Sequence, residues 1–333
     1  MPDVLEEVRK RLPGRKIAVI GDLVADQYLS GTIARVSREA PVFILRHDET
    51  TTLPGAAANA AANVASLGGT PSIVGIVGDD ANGTSLLESL QSKGVSTETV
   101  LVSASVTTTT KVRVIGAQPN AGKQQVIRID YENSSNLSDA IVNALLGRVR
   151  EACNEADAII VSDYNYGVAT AEIFSAAKTV ADERGVPIIV DSRFRLREFA
   201  GATAATPNQD EVEQILGREF TPAQCANLAN EIGLDALLVT NGNKGMQLFE
   251  SSRTTQIDAV GSLEPVDVTG AGDTVIAAFS LGVAAGLDFL FAARIANHAG
   301  GLAVMKKGTA CVGIEELLGS LARQTSLSSQ SNA

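Results

Sequence analysis

One recurring unit constrains what this chain can fold into: a short, uninterrupted apolar run closed by glycine or a polar residue, then a stretch with helical periodicity. The runs are residues 17–20, 72–77, 158–161, 187–190 and 236–239. Helical patterns follow over 57–67, 83–93, 137–155, 170–184, 208–216 and 221–232, and residues 1–13 read as an amphipathic lead-in helix. Strands that are apolar throughout must be covered on both faces, and connections long enough to hold a helix make neighbouring strands parallel. The pattern therefore predicts an α/β fold, a three-layer sandwich around a mostly parallel central sheet.

Two stretches depart from the unit. Residues 23–53 and 101–131 are rich in Thr and Val and alternate in polarity, as in Thr107-Thr108-Thr109-Thr110-Lys111-Val112-Arg113-Val114, which reads as antiparallel strands. They form either a small sheet projecting as a lid or an edge extension of the main sheet. Exposed strand edges seek partners, so a lid would also suit a homodimer contact. No repeat or linker divides the chain. One domain is expected over 1–324, with a polar, disordered tail over 325–333.

Composition narrows the chemistry. With only His47 and His298, a multi-histidine metal centre is excluded, and a general base is expected to be a carboxylate. The balance of 38 acidic against 27 basic side chains, net −11, disfavours nucleic acid and anionic membrane surfaces as partners. Cys153, Cys225 and Cys311 form no CxxC pair, which disfavours a zinc site or a disulfide framework. The N-terminus lacks the apolar core of a signal peptide, and the longest apolar stretch, 274–287, is too short to span a bilayer. A cytoplasmic protein is expected.

The sharpest chemical segment is Asp267-Val268-Thr269-Gly270-Ala271-Gly272-Asp273, placed directly before an apolar helix. Small residues there leave the first-turn amides open, and the helix dipole favours an anion. Asp273 alone could be a first-turn acid, but Gly-Ala-Gly is more permissive than a cap needs. GAGDTV lacks the third small residue of a dinucleotide fingerprint, and no GxxxxGK[ST] occurs. A second segment, 55–63, places Asn59 and Asn63 four residues apart on one face of an alanine-rich helix, where each needs a polar partner. Asp22 and Asp26 stand beyond the first strand, where α/β proteins bind ligands, and carboxylates there suit a hydroxyl-rich molecule.

These segments carry a resemblance. Residues 267–280 resemble the C-terminal signature of PfkB-type, ribokinase-like sugar kinases, and residues 55–69 resemble their N-terminal signature. The resemblance runs from about Lys16 to Val312. Within the family, Gly21-Asp22 with Asp26, Val36-Ser37-Arg38-Glu39-Ala40-Pro41-Val42, residues 124–132, Ser162-Asp163-Tyr164, Thr206-Pro207-Asn208 and Lys307-Gly308-Thr309-Ala310 look like the kinase half of bifunctional heptose-phosphate kinase/adenylyltransferases.

The resemblance implies transfer of the ATP γ-phosphoryl group to a sugar hydroxyl. Asp273 would accept the hydroxyl proton, and the amides of Gly270, Ala271 and Gly272 would form an anion hole. Asn208 and Glu211 match an NxxE element that organises Mg²⁺ through water, although first-turn acids after Pro207 are also simple helix-start residues. Thr240, Gly242 and Gly245 look like a nucleotide loop, which Asn-Gly would equally make a β-turn. Asn297 would border the adenine, with His298 structural. Asp267 and Thr269 match a K⁺ site. On the sugar side the resemblance implies Asp22, Asp26, Gly55 and Asn59. A phosphorylated sugar would need cations, offered by Arg35, Arg38, Lys111, Arg113, Arg128 and Arg193.

The sequence departs from the family pattern at Ala56, where the second Gly of a Gly-Gly pair is expected, at Asn165-Tyr166 in place of Gly-Lys, and at Asp191-Ser192-Arg193 in place of Asp-Pro-Lys. No residues are left over to supply an adenylyltransferase half. The expected function is an ATP- and Mg²⁺-dependent kinase of a heptose 7-phosphate-like sugar phosphate. The alternatives are a fructokinase- or ribokinase-like enzyme for an unphosphorylated sugar or nucleoside, and a non-catalytic sugar- or nucleotide-binding regulator.

Overall fold

A computed structural model describes residues 4–117, 124–132, 136–262 and 264–330. Eight strands make the main sheet, in the spatial order Arg253–Ile257, Met246–Glu250, Ala236–Thr240, Ala204–Ala205, Ile188–Ser192, Ala158–Asp163, Lys16–Gly21 and Thr70–Val74. From Thr70–Val74 to Ala236–Thr240 every pairing is parallel. The last two strands form an antiparallel hairpin on the edge, which the sequence pattern did not reveal.

The apolar runs are buried on both faces because successive side chains point to opposite sides. Ile17, Val19, Ile160, Ile189 and Leu238 pack with helices that include Ala57–Ser66, Ala271–Ala284 and Phe289–Ala303. Ala18, Ile20, Ile159, Val161, Val190 and Leu237 pack on the other face with Asp139–Cys153, Ala171–Arg184 and Pro222–Glu231. This is the expected three-layer α/β arrangement.

The run at 72–77 breaks in two at Gly75. Thr70–Val74 joins the main sheet, while Ile76–Gly78 leaves it and pairs with Leu101–Ser103. Residues 101–103 therefore lie outside the lid in which they were expected.

The lid is a separate four-stranded sheet, ordered Phe43–Ala56, Leu23–Val36, Thr110–Ala117 and Gln124–Tyr131. Its outer pairs are antiparallel, as expected, but Leu23–Val36 runs parallel to Thr110–Ala117, because those two strands come from distant parts of the chain. Residues 118–123 of the expected lid segment lie outside the described residues. Gln124–Tyr131 is an exposed edge carrying Val126, Ile127, Ile129 and Tyr131.

The closing helix spans Ile314–Gln330 and thus runs through most of the expected tail. Leu317, Leu318 and Leu321 anchor it to the core, and a helix once started extends at little cost into polar residues. Residues 331–333 lie outside the described residues. No helix among the described residues is long and apolar enough to cross a membrane.

Asn63 shows how the helix Ala57–Ser66 is stapled in place. Its side-chain amide donates to the Asn59 carbonyl (3.0 Å) and to Asn59 Oδ1 (3.2 Å), and its own oxygen accepts from the Val312 N–H (3.3 Å). Asn63→Ala would strand a buried N–H, so unfolding in urea is expected to show a loss of about 1–3 kcal/mol.

Candidate active site

The parallel strands all present their carboxyl ends to one side of the main sheet, where loops after neighbouring strands diverge. Asp22 follows Lys16–Gly21, Tyr164 follows Ala158–Asp163, Arg193 follows Ile188–Ser192, and Asn208 follows Ala204–Ala205. Above them the helix Ala271–Ala284 begins, capped by Gly270 in the left-handed region (φ 76°). Only glycine serves there, because an added Cβ would also lie 2.5 Å from Asn59 Nδ2.

Asp273 sits in the first turn of that helix and is 2% exposed. Its Oδ2 accepts from Asn59 Nδ2 (2.8 Å) and its Oδ1 from the Tyr164 hydroxyl (2.8 Å). Burial pushes the carboxyl up to about 6, against the downward pull of those two hydrogen bonds. A carboxylate with that affinity for protons is suited to taking one near neutral pH.

A charged cavity of about 360 Å³ opens in front of Asp273. Asp26 and Arg113 line it as a nearly buried ion pair on neighbouring lid strands. Burial raises the Asp26 carboxyl and Arg113 opposes the rise. Gly55 leaves room for Asp26, since a Cβ there would fall 2.7 Å from Asp26 Oδ2. Lys111, Arg128 and Arg193 add three more cations to the lining. Burial lowers the Lys111 pKa, and repulsion from Arg193 and Arg128 adds to the effect. Asp191, Glu211 and Asp273 line the same space, but Lys111, Arg128 and Arg193 lie near enough to repel one another and so make a place for an anion.

Behind Thr240, Val268 and Gly272 this cavity meets a more apolar one of about 230 Å³, lined by Gly242, Gly245, Ala271, Val275, Asn297 and their neighbours. Gly245 is forced, because a Cβ would lie 2.0 Å from the Ile257 carbonyl oxygen. Asn297 donates to the Asp258 carbonyl (2.7 Å) and so braces the wall of this cavity.

Several expected residues thus converge, and several do not behave as expected. Asp22 was expected to meet a sugar. Its carboxylate instead accepts the backbone N–H groups of Tyr164 (2.8 Å), Tyr166 (3.0 Å) and Val168 (2.9 Å), and it is not among the cavity walls. Ala271 was expected in an anion hole, yet its N–H donates to the Val268 carbonyl (3.2 Å). Gly272 faces open space.

Asn208 and Glu211 form a reciprocal capping box, Glu211 N–H to Asn208 Oδ1 (2.9 Å) and Asn208 N–H to Glu211 Oε2 (2.8 Å), while still lining the charged cavity. Asp267 accepts from the Thr269 N–H (3.0 Å) and the Gly308 N–H (2.9 Å), so it braces the loop ahead of the helix. Arg35 and Arg38 do not line the cavity. His298 pairs with Ser320 (2.8 Å) in the core.

Sequence reasoning reached Tyr164 and Asp191 only within longer stretches, Ser162-Asp163-Tyr164 and Asp191-Ser192-Arg193, and gave neither a role of its own. Burial, followed by the charges of Glu211 and Asp273, drives the Asp191 carboxyl well up. The available signal for both was position, since each closes or directly follows an apolar strand on the ligand-binding side of the sheet.

Ala56 stands at φ 55°, ψ −132°, a conformation open to glycine and strained for alanine, where the lid strand Phe43–Ala56 turns into the helix carrying Asn59. Ala56→Gly is expected to raise stability by about 1 kcal/mol in urea or thermal unfolding, strain relief outweighing the added chain entropy. An unchanged or lowered midpoint would count against strain at this turn.

A family model described as pfkB family carbohydrate kinase matches residues 15–315. The bifunctional protein HldE of Azorhizobium caulinodans is 39% identical over 314 residues, covering 92% of this chain and 64% of the relative. That of Gluconobacter oxydans is 38% identical over 312 residues, covering 91% and 63%. The chain spans less than two thirds of the length of these relatives. Among solved structures, an Arabidopsis thaliana ribokinase complexed with ribose and ATP superposes with a TM-score of 0.69 at 23% identity, over 93% of this chain and 98% of that one. Phosphofructokinase-2 from Escherichia coli in complex with potassium gives 0.74 at 20%, over 94% and 99%. At such identities the likeness concerns the fold, which is ribokinase-like. With a matched model over nearly its whole length and relatives above 30% identity, the chain belongs to the pfkB family of carbohydrate kinases.

Proposed function

We propose that this chain transfers the γ-phosphoryl group of ATP to a hydroxyl of a sugar that already carries a phosphate, of the heptose 7-phosphate type. The observation that carries the acceptor reading is the group of cations, Lys111, Arg128 and Arg193, facing the cavity in front of Asp273. A neutral sugar does nothing to offset the repulsion that Arg193 and Arg128 exert on Lys111, whereas a phosphate dianion relieves it, even with Arg128 already holding Asp130. The kinship with HldE proteins points the same way.

In this reading the acceptor hydroxyl lies near Asp273, with Asp26 accepting from other hydroxyls. Asp273 takes the hydroxyl proton as the new O–P bond forms and the bond to the departing ADP breaks. The Gly270 and Gly272 backbone and the helix dipole stabilise charge on the transferring group. The apolar cavity between the turn at Gly242 and Asn297 suits the adenine, and Thr240, at the junction of the cavities, suits the phosphates.

Mg²⁺ fits this donor set in outer-sphere form. Asp191, Glu211 and Asn208 line the charged cavity, while no cluster of three or more metal-ligating side chains occurs among the described residues. Mg²⁺ keeps much of its water and is held by one or two carboxylates with substrate phosphates, and it would neutralise phosphate charge here. K⁺ would lie by Asp267 and Thr269, whose loop leads into the phosphate-facing helix. The exposed lid edge suits a second copy of the chain, making a homodimer.

Asp273→Asn should lower kcat by ~10²–10⁴-fold while leaving nucleotide affinity within about twofold. Because the base must be ionised, wild-type turnover should fall as pH drops through about 6. Wild-type kcat in the Asn variant would overturn the assignment. Lys111→Ala should raise KM for a phosphorylated acceptor by about tenfold or more, with KM for ATP nearly unchanged. Turnover measured across paired sugars and sugar phosphates decides the acceptor, and preference for the unphosphorylated partner would refute the phosphate reading.

A further inference from the structure

Tyr164 lies more than a hundred positions from the segment that carries Asp273, yet its hydroxyl is one of the two groups that donate to the Asp273 carboxylate. Three independent contacts fix it. Its backbone N–H is pinned by Asp22, which also gathers the N–H groups of Tyr166 and Val168 and so sets the path of the loop. The Arg193 guanidinium lies 4.5 Å from the ring centroid, a stacking contact that holds the ring plane. The hydroxyl itself donates to Asp273 Oδ1 at 2.8 Å, and burial together with the Asp273 charge keeps the phenol protonated.

A carboxylate gripped by one donor can still swing about that contact, whereas donors on both oxygens fix its plane. Each oxygen keeps a further lone pair, so the grip leaves room for an incoming hydroxyl. We infer that Tyr164 is a positioning residue for Asp273, acting with Asn59 to fix the plane in which the carboxylate meets the acceptor hydroxyl. Asp22, through the Tyr164 N–H, and Arg193, through the Tyr164 ring, are then the supports of the base.

This inference rests on Asp273 being the base and deepens that reading. A donor to the ionised form also favours ionisation, which gives a signature that simple packing lacks. The other charges lining the same cavity are Asp26, Arg113, Lys111 and Arg128 from the lid, Asp191 and Arg193 at the end of the strand Ile188–Ser192, and Glu211 from the helix Gln209–Leu216. Tyr164→Phe leaves all of these in place, as well as the backbone N–H bonded to Asp22.

The test is a titration of the carboxyl ¹³C signals of aspartate-labelled full chain, with the Asp273 signal identified by its loss in Asp273→Asn. Tyr164→Phe should move the Asp273 midpoint to higher pH by about one unit. Ring-fluorinated tyrosine at 164, a stronger donor of nearly the same shape, should move it to lower pH and serves if the Phe variant does not fold. In turnover with ATP and heptose 7-phosphate, the Phe variant should lose ~10-fold in kcat with KM for ATP unchanged. An unmoved midpoint in both variants, or a uniform loss of activity at every pH without a shift, overturns the inference. Failure of the base reading itself would appear separately, as retained turnover in Asp273→Asn.

Discussion

The arrangement depends on burying one carboxylate, Asp273, without losing its ability to ionise. Removing a carboxylate from water is expensive unless donors replace the lost hydration. Here the replacements come from two distant parts of the chain, Asn59 from the helix after the lid and Tyr164 from a strand end, while Asp273 itself sits in the first turn of the helix Ala271–Ala284. Each donor has its own support. Asn63 fixes Asn59, Asp22 fixes the Tyr164 loop, and Gly270 leaves space for Asn59. Much of the polar structure under the cavity therefore exists to hold one group partly desolvated.

Net charge of −11 would repel an anionic ligand, and the site answers this locally. Asp26 neutralises Arg113, whereas Lys111, Arg128 and Arg193 are directed at the same space. Arg128 also holds Asp130 (2.9 Å), and Lys111 lies over the Tyr166 ring, so both cations are placed before any ligand arrives. Preplacement of this kind reduces the ordering cost of binding.

What was legible in the sequence follows from range of interaction. Parallel strands such as Ala158–Asp163 announce themselves because burial on both faces demands an unbroken apolar run. The edge hairpin Met246–Glu250 with Arg253–Ile257 is half-exposed, and its mixed composition hid it. The segment before Asp273 was legible because its small residues are contiguous in sequence and more permissive than a helix cap needs, leaving the first-turn amides open. Tyr164 was not, because its role is set by Asp273 more than a hundred positions later in the chain. Asp22 misled for a related reason. Its position at a strand end is shared by ligand-binding and loop-pinning carboxylates, and only the direction of three backbone N–H groups separates them.

The lid and the base are mechanically joined through a short path. Leu23–Val36 begins two residues after the strand Lys16–Gly21 ends, and Phe43–Ala56 passes directly into the helix Ala57–Ser66. Leu23 pairs with Ala56 at this root, and Asp26 and Gly55 lie just above it. A tilt of the lid must therefore be absorbed at Gly21–Leu23 and at Ala56, one residue before the helix whose third residue is Asn59. Ala56 already sits in a conformation unfavourable to alanine, so rotation there changes strain that is present in the resting chain. The root of the lid and the helix that aims Asn59 at Asp273 thus share one backbone joint, so a change of backbone conformation at Ala56 bears on both.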